Sequence, residues 1–162
     1  MDEHGLPRAN IRRRHSEAQC KHNHHALLSK IWVQGREVVH TSGLDERAYD
    51  VGIEHGPNFL RVQVKSSSYR RGDGYCCQLL PNHVKKRDYS LDQIDLFAAY
   101  VIPVGAWYLI PASLVLGVRR ITCVMLSPVG EPTKKKSYCY ECYREAWSLL
   151  GKTRRGLGKC GE

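Results

Sequence analysis

At 162 residues with a 42% hydrophobic content, the chain fits one domain large enough to bury a core. No apolar run approaches the ~18 residues of a membrane span, and the opening residues lack the apolar stretch of a secretory signal. The expectation is a soluble, cytoplasmic protein with no membrane partner, and its net charge of +9 favours a polyanion such as nucleic acid.

Residues 1–15 are polar and rich in Arg8, Arg12, Arg13 and Arg14, and predict a basic flexible arm. Ser16 then opens a helix, with Gln19 as its capping-box partner, running to about Trp32 before Gly35. Beyond it the pattern turns to strands: "EVVHT", "AYDVGI", "FLRVQVK" and Gly74 to Leu80. The stretch "LPNHVKKRDYSLDQ" reads as a charged loop. "IDLFAAYVIP" and "AWYLIPA" read as a buried hairpin turning at Val104-Gly105, and "RITCVML" as a further strand. A last helix is predicted over Cys139 to Leu150, with Tyr143, Trp147 and Leu150 on one stripe and Gly151 as its stop. Residues 152–162 read as having no core-forming residues and predict a basic flexible tail. The whole reads as one α+β domain over residues 16–151, built around one central mixed sheet flanked by helices.

Seven cysteines, an odd count without a secretory signal, predict free thiols rather than a disulfide framework. Cys139 and Cys142 have zinc-like spacing, but no second pair follows, which favours a core thiol at Cys139. The cluster His22, His24 and His25 reads first as a solvated helix face, and Tyr100, Trp107 and Tyr108 read as core.

The chemistry concentrates in "FLRVQVKSS". Leu60, Val62 and Val64 alternate with Arg61, Gln63 and Lys65, as a strand requires. A hairpin through "EHGPN", with a loop of about four residues from His55 to Asn58, sets Ile53 against Leu60 and Val51 against Val62. Asp50 then falls opposite Gln63, close enough for their side chains to touch. One reading is an exposed Asp–Lys pair with a neighbouring amide, which is common and contributes little. The other is a magnesium-dependent phosphodiester cleft. In it Asp50, the Gln63 side-chain carbonyl and the Val64 backbone carbonyl supply hard oxygen ligands. Lys65 positions the attacking water or offsets developing charge. Ser66, Ser67, Ser68, Arg70 and Arg71 then hold flanking phosphates.

The segments "YDV" and "RVQVKSS" resemble the core motif of the PD-(D/E)XK nuclease superfamily, and more narrowly its group I intron-associated branch, where Gln replaces an acid. "YSLDQIDLFAAYVIPVGAWYLIPAS" and "YREAWSLL" resemble further segments of that branch. The resemblance implies an α/β/α-like restriction-endonuclease fold, hydrolysis of double-stranded DNA with Mg2+, and a homo-oligomer. It implies a catalytic set of Asp50, Gln63, Lys65 and a helix glutamate. His24 and His25 stand where that glutamate is expected, and Glu17 is the nearest acid, roughly two helical turns away. The alternative is a catalytically inactive or weak DNA-binding protein of the same fold.

Overall fold

The computed structural model describes residues 26–31, 37–41, 48–80, 89–117, 121–127 and 140–157. Residues 26–31 are helical (α1), with Leu27 and Ile31 fully buried four residues apart on one face. The expected helix from Ser16 to residue 25 lies outside the described residues, and so do Glu17, the three clustered histidines and the basic arm.

A five-stranded mixed sheet in the order β1-β2-β3-β6-β7 forms the centre. Strands β1 (Glu37–Thr41), β2 (Val51–His55) and β3 (Asn58–Ser67) pair antiparallel. The apolar pairs Val51/Val62 and Ile53/Leu60 form as the sequence predicts. The loop is tighter than expected: only Gly56 and Pro57 turn, while His55 and Asn58 close the ladder. Gly56 adopts φ +57, the left-handed value that two-residue hairpin turns need and that side chains resist.

Strand β6 (Leu96–Val101) runs parallel to β3, from Val62/Leu96 to Ser67/Val101. Its near-continuous apolar sequence is that of a strand covered on both faces. A 3-10 turn, Ile102–Val104, leads through Gly105 into β7 (Ala106–Pro111), every residue of which is buried. Helix α2 (Ala112–Leu116) follows at once. Tyr100 and Trp107 stack across the hairpin with centroids 4.5 Å apart, and Trp107 and Tyr108 are core residues as expected.

A second sheet, β4 (Arg70–Arg71), β5 (Gly74–Gln78) and β8 (Cys123–Leu126), is inserted between β3 and β6 and after α2. Here the thiol expectation is corrected: Cys76 and Cys123 form a disulfide. Gln78 pairs with Cys123, so Cys76, two residues back on the same face, is its diagonal neighbour at a Cα distance of 6.4 Å.

The predicted last helix is also corrected. Two short 3-10 turns, Glu141–Tyr143 and Trp147–Gly151, replace it. Between them Arg144 is extended and bridges Tyr108, while Glu145 takes φ +49. The backbone leaves the helix because its hydrogen bonds go to the outer side of β7. Glu145 N donates to Trp107 O at 2.8 Å, and Trp107 N donates to Glu145 Oε1 at 2.7 Å. Glu145 Oε2 also accepts from the Trp147 indole at 2.8 Å. Those bonds offset the ~1–3 kcal/mol that a left-handed non-glycine residue costs. Of the predicted stripe, Tyr143 and Leu150 are core residues and Trp147 is only partly buried.

Residues 152–157, expected within a loose tail, instead fold back onto the domain. Leu157 joins the core, and Arg154 Nε meets Asp95 Oδ1 at 2.7 Å. Asp95, at the mouth of β6, has a side chain only 1% exposed. Its carboxylate also accepts from Arg61 N at 2.9 Å, Nε at 2.9 Å and Nη2 at 3.0 Å. Its backbone bonds Arg61 O through N–H and Ala112 N through C=O.

Replacing Asp95 by Asn leaves the Arg61 guanidinium facing an amide, and is expected to lower the unfolding free energy by about 3–5 kcal/mol in urea titrations. Arg154→Ala, which removes a half-exposed partner, is expected to cost about 1 kcal/mol or less. Equal losses in both variants would show that Asp95 does not anchor β6 in this way.

Candidate active site

Strand β3 outruns its neighbour. β2 begins at Val51, opposite Val62, so the last residues of β3 have β6 on one side and no β2 strand on the other. Asp50 closes that gap. Its backbone N–H donates to Val62 O at 2.9 Å, so Asp50 shares with Val51 the same partner residue and steps out of the ladder's register. Its Oδ2 then accepts from Val64 N at 2.7 Å and from the Gln63 side-chain amide. The carboxylate thus takes the bond that a further strand residue would have taken. Gln63 is 6% exposed and Val64 5%, so both donors are shielded from water.

The Gln63 amide nitrogen lies between two oxygens, Asp50 Oδ2 and, at 3.4 Å, Val64 O. Asp50, Gln63 and Val64, the predicted oxygen donors, are therefore brought to one point. Lys65, next on the same face of β3 as Gln63, donates from Nζ to the Tyr89 hydroxyl at 3.0 Å. The ammonium also lies 5.3 Å from the Tyr89 ring centroid, and that ring packs against buried Phe97 at 6.0 Å. Tyr89 is a neighbour of the candidate site that the sequence does not point to. It stands 24 residues from Lys65 in a loop, and only the folded chain brings them together.

The other residues divide. Arg61, on the same stride as Gln63 and Lys65, is held by Asp95 and turned to a different task. Ser66 is half-buried. The Ser67 hydroxyl is engaged internally, donating to Cys76 O at 2.6 Å and accepting from Tyr69 N at 3.1 Å. Arg70 and Arg71 are exposed on β4. Among the described residues no group of three or more His, Cys, Asp or Glu gathers, so the described oxygen donors are one carboxylate, one amide and one backbone carbonyl. Of the Cys139/Cys142 pair, Cys142 is exposed and Cys139 lies outside the described residues. Cys77, on the opposite face of β5 from the disulfide, is fully buried. Burial pushes its thiol up to about 12, against a weaker downward pull from the nearby Lys65 charge.

The family model for PD-(D/E)XK endonucleases matches residues 15–144. The chain belongs to the PD-(D/E)XK endonuclease family. The protein is therefore a nuclease whose substrate class is DNA. Enzymes of this family typically use divalent metal ions. The solved structure of a bacterial homing endonuclease, I-Ssp6803I, is similar to this endonuclease in fold, with a TM-score of 0.65 at 23% identity. The match covers 81% of this chain and 89% of that one. Among curated proteins no relative matches.

Two outcomes follow for this endonuclease. Tyr89→Phe removes the lysine's hydroxyl partner and is expected to lower kcat for DNA cleavage by about tenfold at near-constant KM, the scale of one hydrogen bond to a charged group. A change confined to KM would show that Tyr89 does not orient Lys65 for the reaction. Stability is expected to fall as pH rises from about 9 toward 12, because the unfolded chain ionises Cys77 at its ordinary value while the fold keeps it protonated. In Cys77→Ala, chemical denaturation across that range should show a slope smaller by up to one proton.

Proposed function

We propose that this endonuclease is a homing-type, magnesium-dependent enzyme that cleaves double-stranded DNA as a homo-oligomer. The observation that carries the reading is the convergence of Asp50 Oδ2, the Gln63 amide and the Val64 carbonyl beside Lys65. The donor chemistry fits magnesium, which prefers hard oxygens and takes few protein ligands. The partly positive amide nitrogen of Gln63 now lies between the two oxygens. A half-turn of that amide would present its carbonyl oxygen to the same space. Asp50, Gln63 and Val64 would then hold the ion, and Glu17 is the candidate for a second acid.

A bound divalent ion would offset phosphate charge and acidify a water. The remaining work falls to the chain. Asp50, locked by Val64 N–H, keeps a fixed orientation and contributes no rotamer search. Lys65, tethered by Tyr89, keeps an ammonium beside the phosphate as negative charge accumulates on its oxygens, and can orient the attacking water. Arg70 and Arg71 lie on the exposed strand that follows, where contacts to flanking phosphates would set the register of the duplex. Two strands must be cut, and Asp50, Gln63 and Lys65 form one such centre per chain, which supports a homo-oligomer.

Supercoiled plasmid is expected to be nicked and linearised in Mg2+. Asp50→Asn and Lys65→Ala should each reduce cleavage by about 100-fold or more, with duplex binding in Ca2+ retained. Unchanged cleavage in both variants would sink the assignment. Salt-sensitive binding without cutting in either Mg2+ or Mn2+ would mean that the chain binds DNA but does not hydrolyse it. Sedimentation of the purified protein as a monomer, with and without DNA, would remove the oligomer.

A further inference from the structure

Strand β3 does not end at the catalytic lysine. It continues through Ser67 into a short connector and then β4, whose hairpin with β5 turns at Gly72. At the head of that hairpin stands Tyr69. It is 67% exposed, the most exposed large apolar side chain among the described residues.

An aromatic ring in water on a flexible loop would need no explanation, since scattered exposed apolar groups are normal. Here the backbone beneath the ring is held at both its N–H and its C=O. Tyr69 N donates to Ser67 Oγ at 3.1 Å. Tyr69 O accepts from Cys76 N at 2.9 Å, and Ser67 Oγ donates to Cys76 O at 2.6 Å. Cys76 is in turn bound through its sulfur to Cys123 on β8. Gly72 takes φ +60, which lets the β4–β5 turn close within two residues, and Arg70 Nε donates to Gly72 O at 3.4 Å. The ring therefore projects from a fixed base, with two exposed arginines following it.

We infer that Tyr69 wedges into a base step of the DNA duplex within about four steps of the scissile phosphate, partly unstacking it, with Arg70 and Arg71 on the adjoining backbone. The inference rests on the nuclease reading of the Asp50–Gln63–Lys65 site and adds a residue to it. Tyr69 lies four positions beyond Lys65, at most ~14 Å of extended chain. That span is about four base steps of duplex. A ring accepts any base face, whereas the arginines supply charge. Pre-fixing the backbone removes the ordering cost that a mobile aromatic would meet on binding.

The arrangement separates two kinds of energy that titration can read independently. Tyr69→Ala is expected to weaken duplex binding in Ca2+ on the order of tenfold, the lost stack being partly offset by the unstacking that it no longer requires. The slope of log affinity against log salt should not change, and neither should the thermal midpoint, because the ring is exposed. Tyr69→Phe and Tyr69→Trp should bind as the wild type does, and the added indole of Tyr69→Trp should be quenched by DNA beyond any quenching in the wild type. Arg70→Ala and Arg71→Ala should each flatten the salt slope by about 0.9 for every phosphate no longer neutralised.

Wild-type affinity and cleavage in Tyr69→Ala, with plasmid cutting by the parent intact, would overturn the inference alone. A flattened salt slope in Tyr69→Ala would overturn it too, since it would assign the ring to the backbone. If the parent neither binds nor cuts DNA at low salt, the nuclease reading fails first and this inference with it.

Discussion

The site depends on one carboxylate serving as the missing continuation of a strand. β2 begins one residue after Asp50, and the next inward donor of β3, Val64 N–H, has no backbone partner on that side. Asp50 Oδ2 takes that donor and, with the same oxygen, the Gln63 amide. In a water-poor environment such bonds are strong and an unfilled donor costs ~1–3 kcal/mol. Secondary structure and the proposed chemistry therefore share an atom: the group that ends the β2–β3 ladder is also the group proposed to hold the metal ion. Substitutions at Asp50 act on both, so binding of duplex is the control that separates them.

The hairpin is legible in the sequence because its apolar residues sit at even spacing on both arms and fit only one register. Val51/Val62 and Ile53/Leu60 form pairs, and Asp50 beside Gln63 follows from them without any further information. The buried β6–β7 hairpin is legible too, as two apolar runs separated by Val104-Gly105. The C-terminal segment is different. Tyr143, Trp147 and Leu150 lie on a helical stripe, and periodicity correctly marks two of them as core, yet it says nothing of where the backbone hydrogen bonds go. In the fold they go to Trp107, a residue far away in sequence, and the helix is lost. Leu157 leaves no trace because one apolar residue in a basic tail makes no pattern. Tyr89 leaves none because a contact between a loop and a strand has no spacing at all. The disulfide is hidden for the same reason, since 47 residues separate its cysteines.

Charge in this protein is organised at two depths. Asp95 is deep, and binds Arg61 and Arg154 at the start of β6, so those two cations serve the fold. Arg70 and Arg71 are shallow, on a two-residue strand facing solvent. The net charge of +9 does not distinguish the two groups. Burial and partners do, and they leave the β4–β5 hairpin as the described place where positive charge continues directly from the strand carrying Lys65.

The segment around Glu145 also bears on how copies of this chain could meet. β7 lies at one end of the central sheet, and an outermost strand ordinarily offers a row of open donors and acceptors to any other extended chain. Trp107 turns its outward N–H and C=O to Glu145, and Arg144 bridges Tyr108, so the middle of that row is closed from within. A neighbouring copy that tried to extend the sheet past β7 would have to expel Glu145 and its bonds to Trp107 and Trp147. The left-handed glutamate thus also guards this border against fibre-like growth.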